Sequence, residues 1–208
     1  MSGNNKEYNW QHNNADNSFN YLQKTINYII ENKIENKNTL VDVGCGNGYL
    51  TKKISKNFLE ITALDESETA ITQANKNYIG KIKFLRTNLN DYEEKKKIDC
   101  ITAIEVIEHT YSPDSFLKKL YELSDNNTKI IISTPYHGFV KNLLLILTGK
   151  FDNHFSPLWE HGHIKFFSKK TLREITKRNK FEIVETFFSG RFYPISKSII
   201  VILRKLPE

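Results

Sequence analysis

Three glycines at alternate positions, directly after an apolar β-branched run, constrain the fold of this chain more than any other feature. The run at residues 40–43 predicts a buried strand, and Gly44, Gly46 and Gly48 then precede a helical pattern. Such a turn lets backbone approach a ligand where a Cβ atom would collide, and the free N–H groups at a helix start favour a negative group. The stretch therefore predicts a ligand-binding loop between a strand and a helix.

Strands and helices alternate along most of the chain. The predicted strands are 40–43, 59–64, 82–86, 98–104, 129–133, 181–188 and 198–203; the predicted helices begin at about 16 and span 49–57, 67–78, 113–123 and 168–178. This alternation is typical of a parallel, doubly wound α/β sheet. The loop at 189–197 is too short for a crossover helix, so the last two strands should pair antiparallel.

Length, charge and cysteine content narrow the class of protein. The chain has 208 residues: we predict a mobile polar tail at 1–15 and a single domain at 16–208. The net charge is +6, but the lysines are spread along the chain, which favours a solvated basic surface over a nucleic-acid face. Cys45 and Cys100 are the only cysteines, and no apolar run approaches the ~20 residues of a membrane span, so we expect a soluble, cytoplasmic protein.

The spacing of the glycines argues against a dinucleotide-binding loop. With Gly44 and Gly46 in place, the dinucleotide fingerprint needs its third glycine at position 49, where this chain has Tyr49. The observed D-x-G-x-G-x-G resembles motif I of the class I S-adenosylmethionine (SAM) dependent methyltransferases. The resemblance implies that this loop, which includes Cys45, cradles the methionine end of SAM with Asp42 near its ammonium group. From the residues alone, an ordinary glycine turn of an α/β protein remains an alternative.

Polar residues follow the second and third predicted strands. Asp65 ends the second strand about 20 residues after the glycine loop, the separation at which an α/β nucleotide fold places a carboxylate on ribose hydroxyls. A helix cap is the alternative role for this acid, and Glu66 beside it is a further candidate for the cofactor site. After the third strand, the resemblance implies Asn88 at the edge of the adenine and Leu89 against its face. Asn88 replaces the acid that is usual in the family at this loop position.

The fourth predicted strand is followed by the sequence E-x-x-E-H. In a helical turn the first, fourth and fifth of these positions share one face, so Glu105, Glu108 and His109 should converge at the carboxyl edge of the sheet. Two carboxylates and an imidazole at that edge suit general base catalysis or a divalent cation. A capped, solvated helix start is the alternative interpretation.

Two segments are candidates for covering the site. The connection at about 136–166 is long and carries an apolar run at 143–147 and a cluster of aromatic and histidine residues, and we predict a substrate lid there. Its part at 139–150, with Lys141 and Lys150 near the ends, also suits peripheral contact with a membrane surface. The leading segment from Tyr8 to Tyr21 is either a lid on the cofactor or simple packing.

The motifs taken together resemble the ubiquinone-biosynthesis O-methyltransferases and their bacterial relatives. The match runs over residues 39–203 and implies a Rossmann-like fold, with a mainly parallel seven-stranded sheet, an antiparallel edge strand and helices on both faces. In that group, and in the similar plant small-RNA 2′-O-methyltransferases, the corresponding residues are associated with a divalent metal such as Mg²⁺. The implied ligands are Glu105, Glu108, His109 and His163, with His161 as a competitor for the last place.

These observations lead to a functional hypothesis with stated alternatives. We expect SAM-dependent methyl transfer to an oxygen of a small, partly apolar acceptor, such as a phenolic or prenylated compound. An RNA or polysaccharide hydroxyl is the alternative acceptor, which a steep salt dependence of RNA affinity would reveal. A SAM-binding protein without turnover is a second class of hypothesis, and a nicotinamide enzyme is a third.

Overall fold

The computed structural model describes residues 17–155, 157–159 and 162–207, and its centre is one seven-stranded sheet. The strands are β1 (Thr39–Val43), β2 (Glu60–Asp65), β3 (Ile82–Arg86), β4 (Cys100–Ile104), β5 (Lys129–Pro135), β6 (Phe181–Ser189) and β7 (Ser198–Lys205). Their spatial order is β3-β2-β1-β4-β5-β7-β6. The helices are α1 (Asn17–Lys33), α2 (Tyr49–Ile54), α3 (Glu68–Asn77), α4 (Pro113–Leu123), α5 (Phe139–Leu147), α6 (Phe151–Phe155) and α7 (Lys169–Arg178).

The direction of the strands confirms the predicted fold class. Strands β1 to β5 pair parallel, and β7 pairs antiparallel with both β5 and β6. The predicted hairpin at 181–203 is therefore present. Its second strand, β7, lies between β5 and β6 and is antiparallel to both, and β6 forms the edge of the sheet. The chain order changes direction at β1, where β2 and β4 lie on either side, and open α/β sheets bind ligands at this point.

Helices cover both faces of the sheet because side chains alternate along each buried strand. Leu40 packs with α1 and α2, whereas Val41, the next residue, packs with Leu117 and Leu120 of α4. The two clusters contain most of the buried apolar side chains of the described residues. Both faces of the sheet are therefore covered by packed apolar side chains. The carboxyl ends of the strands and the loops that follow them are the places where a ligand can bind.

Local signals explain where the helices begin. The Ser67 hydroxyl accepts a hydrogen bond from the N–H of Ala70 and caps α3. Ser112 caps α4 in the same way and is followed by Pro113 in the first turn. The predicted helix at 49–57 ends as α-helix at Ile54 and continues as a 3-10 turn, Ser55–Asn57. No helix in the described part of the chain is long and apolar enough to cross a membrane.

Candidate functional site

The glycine loop joins β1 to α2 and is fastened to the end of β2. Gly44, Gly46 and Gly48 all have positive φ angles, of 70°, 54° and 76°. A Cβ atom added to Gly44 would lie 2.5 Å from Cγ2 of Val106, which excludes any larger residue without rearrangement. The N–H groups of Gly44 and Cys45 both donate to the carbonyl of Leu64, at 2.8 and 2.9 Å. The loop therefore has a fixed shape before any ligand binds.

Asp42 lies beneath this loop as a buried carboxylate. Its oxygens accept hydrogen bonds from the hydroxyls of Thr51, at 2.5 Å, and Thr102, at 2.6 Å. Burial raises the pKa of Asp42 to about 6, and the two hydroxyl donors partly oppose this shift. In this structure the side chain links β1 to α2 and β4, so it supports the loop from below. Its role near a cofactor ammonium group stays a prediction.

The polar residues that follow β2 and β3 lie close to one another. Asp65 accepts hydrogen bonds from the N–H groups of Gly46, at 2.8 Å, and Ser67, at 2.9 Å. Glu66 accepts one from the Asn88 amide at 2.6 Å. Leu89, in the 3-10 turn Leu89–Asp91, is buried in the core next to them. The predicted ribose and adenine residues thus form one connected group at the carboxyl ends of two neighbouring strands.

Glu105 follows β4 with a left-handed backbone, at a φ angle of 56°. Its carboxylate accepts a hydrogen bond of 2.7 Å from the hydroxyl of Ser133, and its N–H donates to the same hydroxyl at 3.0 Å. Burial raises the pKa of Glu105 to about 7, while hydrogen bonds from Ser133 and Ser198 lower it. The side chain is therefore held toward β5 and β7. Because Glu105 precedes the 3-10 turn Ile107–His109, the shared helical face that we expected does not include it.

A separate group of side chains beside the loop after β4 suits a metal ion. Glu108, His109 and His163 each offer a ligand atom, and these atoms all lie within 4.8 Å of one another. The rings of His109 and His163 meet edge to face, with centroids 4.9 Å apart. Both oxygens of Glu108 are buried and accept no hydrogen bond within the described part of the chain. Such an unsatisfied carboxylate fits a cation or a proton donor that arrives with a ligand.

Ionisation of this group follows from burial. Burial raises the pKa of Glu108 well above its usual value, and the charge of Glu105 raises it further. Burial lowers the pKa of His163 to about 4, and His109 lowers it further. At neutral pH the His163 ring is therefore neutral, with a nitrogen lone pair that suits a hydrogen bond or a metal.

The backbone of Glu108 explains why a residue so far along the chain joins this group. Its carbonyl accepts hydrogen bonds from the N–H groups of Ile164 and Lys165, both at 3.0 Å. This pairing fixes the segment that carries His163 against the loop after β4. His161 lies outside the described residues, so its competition with His163 remains open.

Several residues near the site were missed in the sequence. Lys141 of α5 is buried, and its ammonium donates to the carbonyls of Tyr136, at 2.7 Å, and Lys197, at 3.3 Å. Burial lowers its pKa to about 8, and the nearby charge of Arg191 acts in the same direction. The sequence indicates only the polar end of an apolar helix at this position. The only available signal was its place two turns after a strand end, which is too weak to distinguish the two roles.

Hydroxyl groups also connect α1 to the site. The phenol oxygen of Tyr21 and the hydroxyl oxygen of Ser198 lie 3.0 Å apart. Burial raises the pKa of Tyr21 to about 12, and the negative charge of Glu105 raises it as well. The residues are 177 positions apart in the chain, so no sequence pattern could pair them. Tyr21 of α1 therefore lies near enough to Glu105 to respond to its charge. Tyr8 and the rest of the predicted leading segment before residue 17 lie outside the described residues.

Comparison with known proteins agrees with this geometry. A family model for a methyltransferase domain matches residues 11–186. The chain belongs to the SAM-dependent methyltransferase family. The ubiquinone biosynthesis O-methyltransferase of Rickettsia typhi is 31% identical over 192 residues, which cover 86% of this chain and 76% of the relative. The corresponding protein of Rickettsia akari is 29% identical over 205 residues, covering 92% and 80%.

Solved structures of other methyltransferases share the fold. Magnesium protoporphyrin IX methyltransferase from Synechocystis, solved with bound S-adenosylhomocysteine (SAH), has a TM-score of 0.68 at 18% identity and covers 88% of this chain and 82% of that one. An N-methyltransferase from Bradyrhizobium japonicum in complex with SAH has a TM-score of 0.66 at 15% identity, with coverage of 93% and 90%. The resemblance predicted from motif I is therefore confirmed, and the cofactor of this methyltransferase is SAM.

Proposed function

We propose that this methyltransferase transfers the methyl group of SAM to a hydroxyl oxygen of a small, partly apolar acceptor, of the phenolic or prenylated class. The observation that carries the proposal is the buried, unsatisfied carboxylate of Glu108 beside His109 and His163. SAM already carries an activated methyl group, so the protein has to align the acceptor and remove its proton. The names of the Rickettsia relatives support an oxygen acceptor.

The residues divide these tasks according to their ionisation. Burial raises the pKa of Glu108, so its carboxylate is a stronger base than that of an ordinary glutamate and suits removal of the acceptor proton. His163 is neutral at pH 7 because of its low pKa, and its ring suits a hydrogen bond to the acceptor oxygen. Glu105 is fixed by Ser133 and its charge acts on both Tyr21 of α1 and Glu108, and we propose that it contacts the cofactor or the acceptor.

A divalent cation such as Mg²⁺ fits the same residues. Glu108, His109 and His163 would hold it, since their ligand atoms lie within 4.8 Å of one another and the Glu108 oxygens have no other partner in the described chain. When bound, such a cation lowers the pKa of a hydroxyl that it contacts. Glu105 is outside this group, so we propose it as a ligand only if its backbone rearranges.

The acceptor class is supported by the segment at 136–166, which we propose to be a substrate lid. His137 lies at the end of β5 with its ring centroid 5.0 Å from Phe166 and 5.4 Å from Phe155. Burial lowers the pKa of His137 to about 3, so this ring is neutral as well. Aromatic and neutral rings of this kind suit a planar or prenylated acceptor better than a polyanion.

The outer face of the same segment supports peripheral contact with a membrane surface through residues 139–150. Phe139, Ile146 and Leu147 of α5 are 81%, 61% and 72% exposed. A group of exposed apolar side chains on one short helix is unusual for a surface in contact with water alone. A prenylated acceptor that resides in a membrane would reach the lid from this side.

The experiment is transfer of labelled methyl from SAM into fractionated host extract, with and without a chelator. We expect label in the organic-soluble fraction, and loss of that label with chelator if the cation takes part. Glu108→Gln should lower the rate by about 100-fold or more, with SAH binding unchanged, whereas the exposed Glu93→Gln should have no effect. A rate insensitive to Glu108→Gln would refute the catalytic assignment, and label in RNA or polysaccharide would refute the acceptor class.

A further inference from the structure

The ammonium group of Lys141 is buried without a carboxylate partner. Among the lysines and arginines that the structure describes, only Lys141 is buried, with 8% of its surface exposed. Its ammonium donates to the carbonyls of Tyr136, at 2.7 Å, and Lys197, at 3.3 Å, and it forms no ion pair with a described residue. An ammonium has three N–H donors, so these two contacts leave one for a further acceptor. A buried charge without a counter-ion is unfavourable, and a negative group on a ligand would offset that cost.

Two further cations, on the loop between β6 and β7, act on this ammonium. Burial lowers the pKa of Lys141 most, the charges of Arg191 and Lys197 lower it further, and Glu105 acts in the opposite direction. The Lys197 ammonium lies 5.0 Å from the ring centroid of Tyr21, which places it beside α1. Neither Arg191 nor Lys197 forms an ion pair within the described chain. Among the largest charge effects on Lys141, two positive groups thus oppose a single carboxylate, and the cluster carries excess positive charge.

This cluster lies two or three strands away from the glycine loop. Tyr136 directly follows β5 and Lys197 directly precedes β7, in the spatial order β1-β4-β5-β7. Neighbouring strands are about 4.8 Å apart, so β5 is roughly 10 Å from β1, which carries that loop. The cluster adjoins the aromatic part of the segment at 136–166 instead: burial, and then the charge of Lys141, lower the pKa of His137, whose ring centroid is 5.0 Å from that of Phe166. A negative group bound here would therefore belong to the acceptor and not to the cofactor.

We propose that Lys141, together with Arg191 and Lys197, binds a carboxylate on the ring of the methyl acceptor, so that the enzyme selects an acidic phenol over its neutral counterpart. Lys141 donates its remaining N–H to that carboxylate, and the two cations of the hairpin loop strengthen the attraction. The single remaining N–H suits a group with one negative charge. The rings of His137 and His154 beside the cluster are neutral at pH 7 and suit the apolar body of the acceptor. The inference rests on the proposed function, because it requires a phenolic acceptor.

The test is calorimetric titration of the full chain, saturated with SAH at pH 7, with two compounds: 3,4-dihydroxybenzoate, and catechol, which has the same hydroxyls but no carboxylate. We expect the unaltered protein to bind the acid about ten-fold more tightly than catechol. Lys141→Gln should remove this preference and leave the affinity for catechol unchanged, whereas a merely structural role of Lys141 would weaken both compounds equally. Lys118→Gln removes an exposed lysine of α4 and is the matched control, in which the preference should persist.

Two further measurements keep the result decisive. If Lys141→Gln does not fold in a thermal melt, Arg191→Gln replaces it: Arg191 is exposed, and its loss should weaken binding of the acid about three-fold without affecting catechol. Affinity for SAH should be the same in every variant, and weaker SAH binding by a folded Lys141→Gln would assign the cluster to the cofactor and overturn the inference.

The remaining outcomes separate this inference from the proposed function. Equal affinity for both compounds, binding of neither, or an equal loss of both in Lys141→Gln would overturn the inference. Methylation of catechol without a preference for the acid would do so while the proposed function stands. Methyl label found only in RNA or polysaccharide would refute the proposed function, and with it the acceptor on which the inference rests.

Discussion

The Glu108 side chain is fully buried, and neither of its oxygens accepts a hydrogen bond within the described part of the chain. A buried carboxylate without partners lowers the stability of a protein whenever it is ionised. Active sites retain such groups because the ligand supplies the missing interactions. The loss of stability from burying Glu108 without a hydrogen-bond partner is therefore the strongest indication that this residue has a functional role.

Replacing Glu108 by Gln should stabilise the ligand-free protein while it lowers the rate of turnover. Because the folded-state pKa of Glu108 is raised above its unfolded value, the folded protein binds this proton more tightly and the wild type gains stability as the pH falls through the folded pKa. The advantage of the variant should thus be greatest at high pH, at about 2 kcal/mol at pH 8, and shrink toward pH 5. Urea unfolding at both pH values measures it. A variant less stable than wild type at pH 8 would contradict the prediction.

Residue roles could be predicted where one short stretch contains the whole signal. Gly44 and Gly48 were recognised as loop glycines, and both have the positive φ that a side chain would resist. Glu105 is expected to share a helical face with Glu108 and His109; its charge does act on Glu108, but with a left-handed backbone and a bond to Ser133 it is not part of the group of close ligand atoms. A single backbone angle decides that outcome, and neither spacing nor composition encodes it.

At the scale of elements, strands were predictable because each is a buried apolar run with a turn at either end. The parallel, doubly wound sheet followed from alternation, and the antiparallel pairing of β6 with β7 followed from one short loop, whereas the order of the strands and the pairing of β7 with β5 were not predicted. Contacts between distant elements were not predictable, as the link between α1 and the β6–β7 hairpin illustrates. It depends on small hydroxyl side chains that carry no periodic signal.

Ser189→Ala tests this link. The Ser189 hydroxyl lies 2.8 Å from that of Thr25 and donates to the carbonyl of Tyr21 at 2.9 Å. Losing these contacts should cost about 1 kcal/mol, so amides of α1 should exchange with deuterium about five-fold faster while those of β4 and β5 do not change. Ser196→Ala is the control, since Ser196 is buried in the same hairpin and donates only to the carbonyl of Arg191. Equal effects of both variants would contradict a specific link.

At the scale of the whole molecule, the site and the exposed apolar helix lie on the same segment. The chain from Tyr136 to Phe167 begins at the end of β5, passes through α5 and α6, and returns to Tyr136 through a parallel bridge. It contributes His163 to the site and the apolar side chains of α5 to the surface. One segment thus carries both a residue of the site and the exposed apolar face of α5.

Flotation with vesicles that contain anionic lipid tests this arrangement. We expect the protein to float with the vesicles, and the double change Ile146→Ser and Leu147→Ser to reduce bound protein about ten-fold or more, because each side chain contributes about 1.5–3 kcal/mol when buried. Leu59→Ser is the matched control: Leu59 is 68% exposed but precedes β2, at the opposite edge of the sheet. SAH affinity should be the same in all three proteins, since neither change touches the glycine loop. Failure of the unaltered protein to float, or equal losses in the control, would assign the apolar face of α5 to something other than a lipid surface.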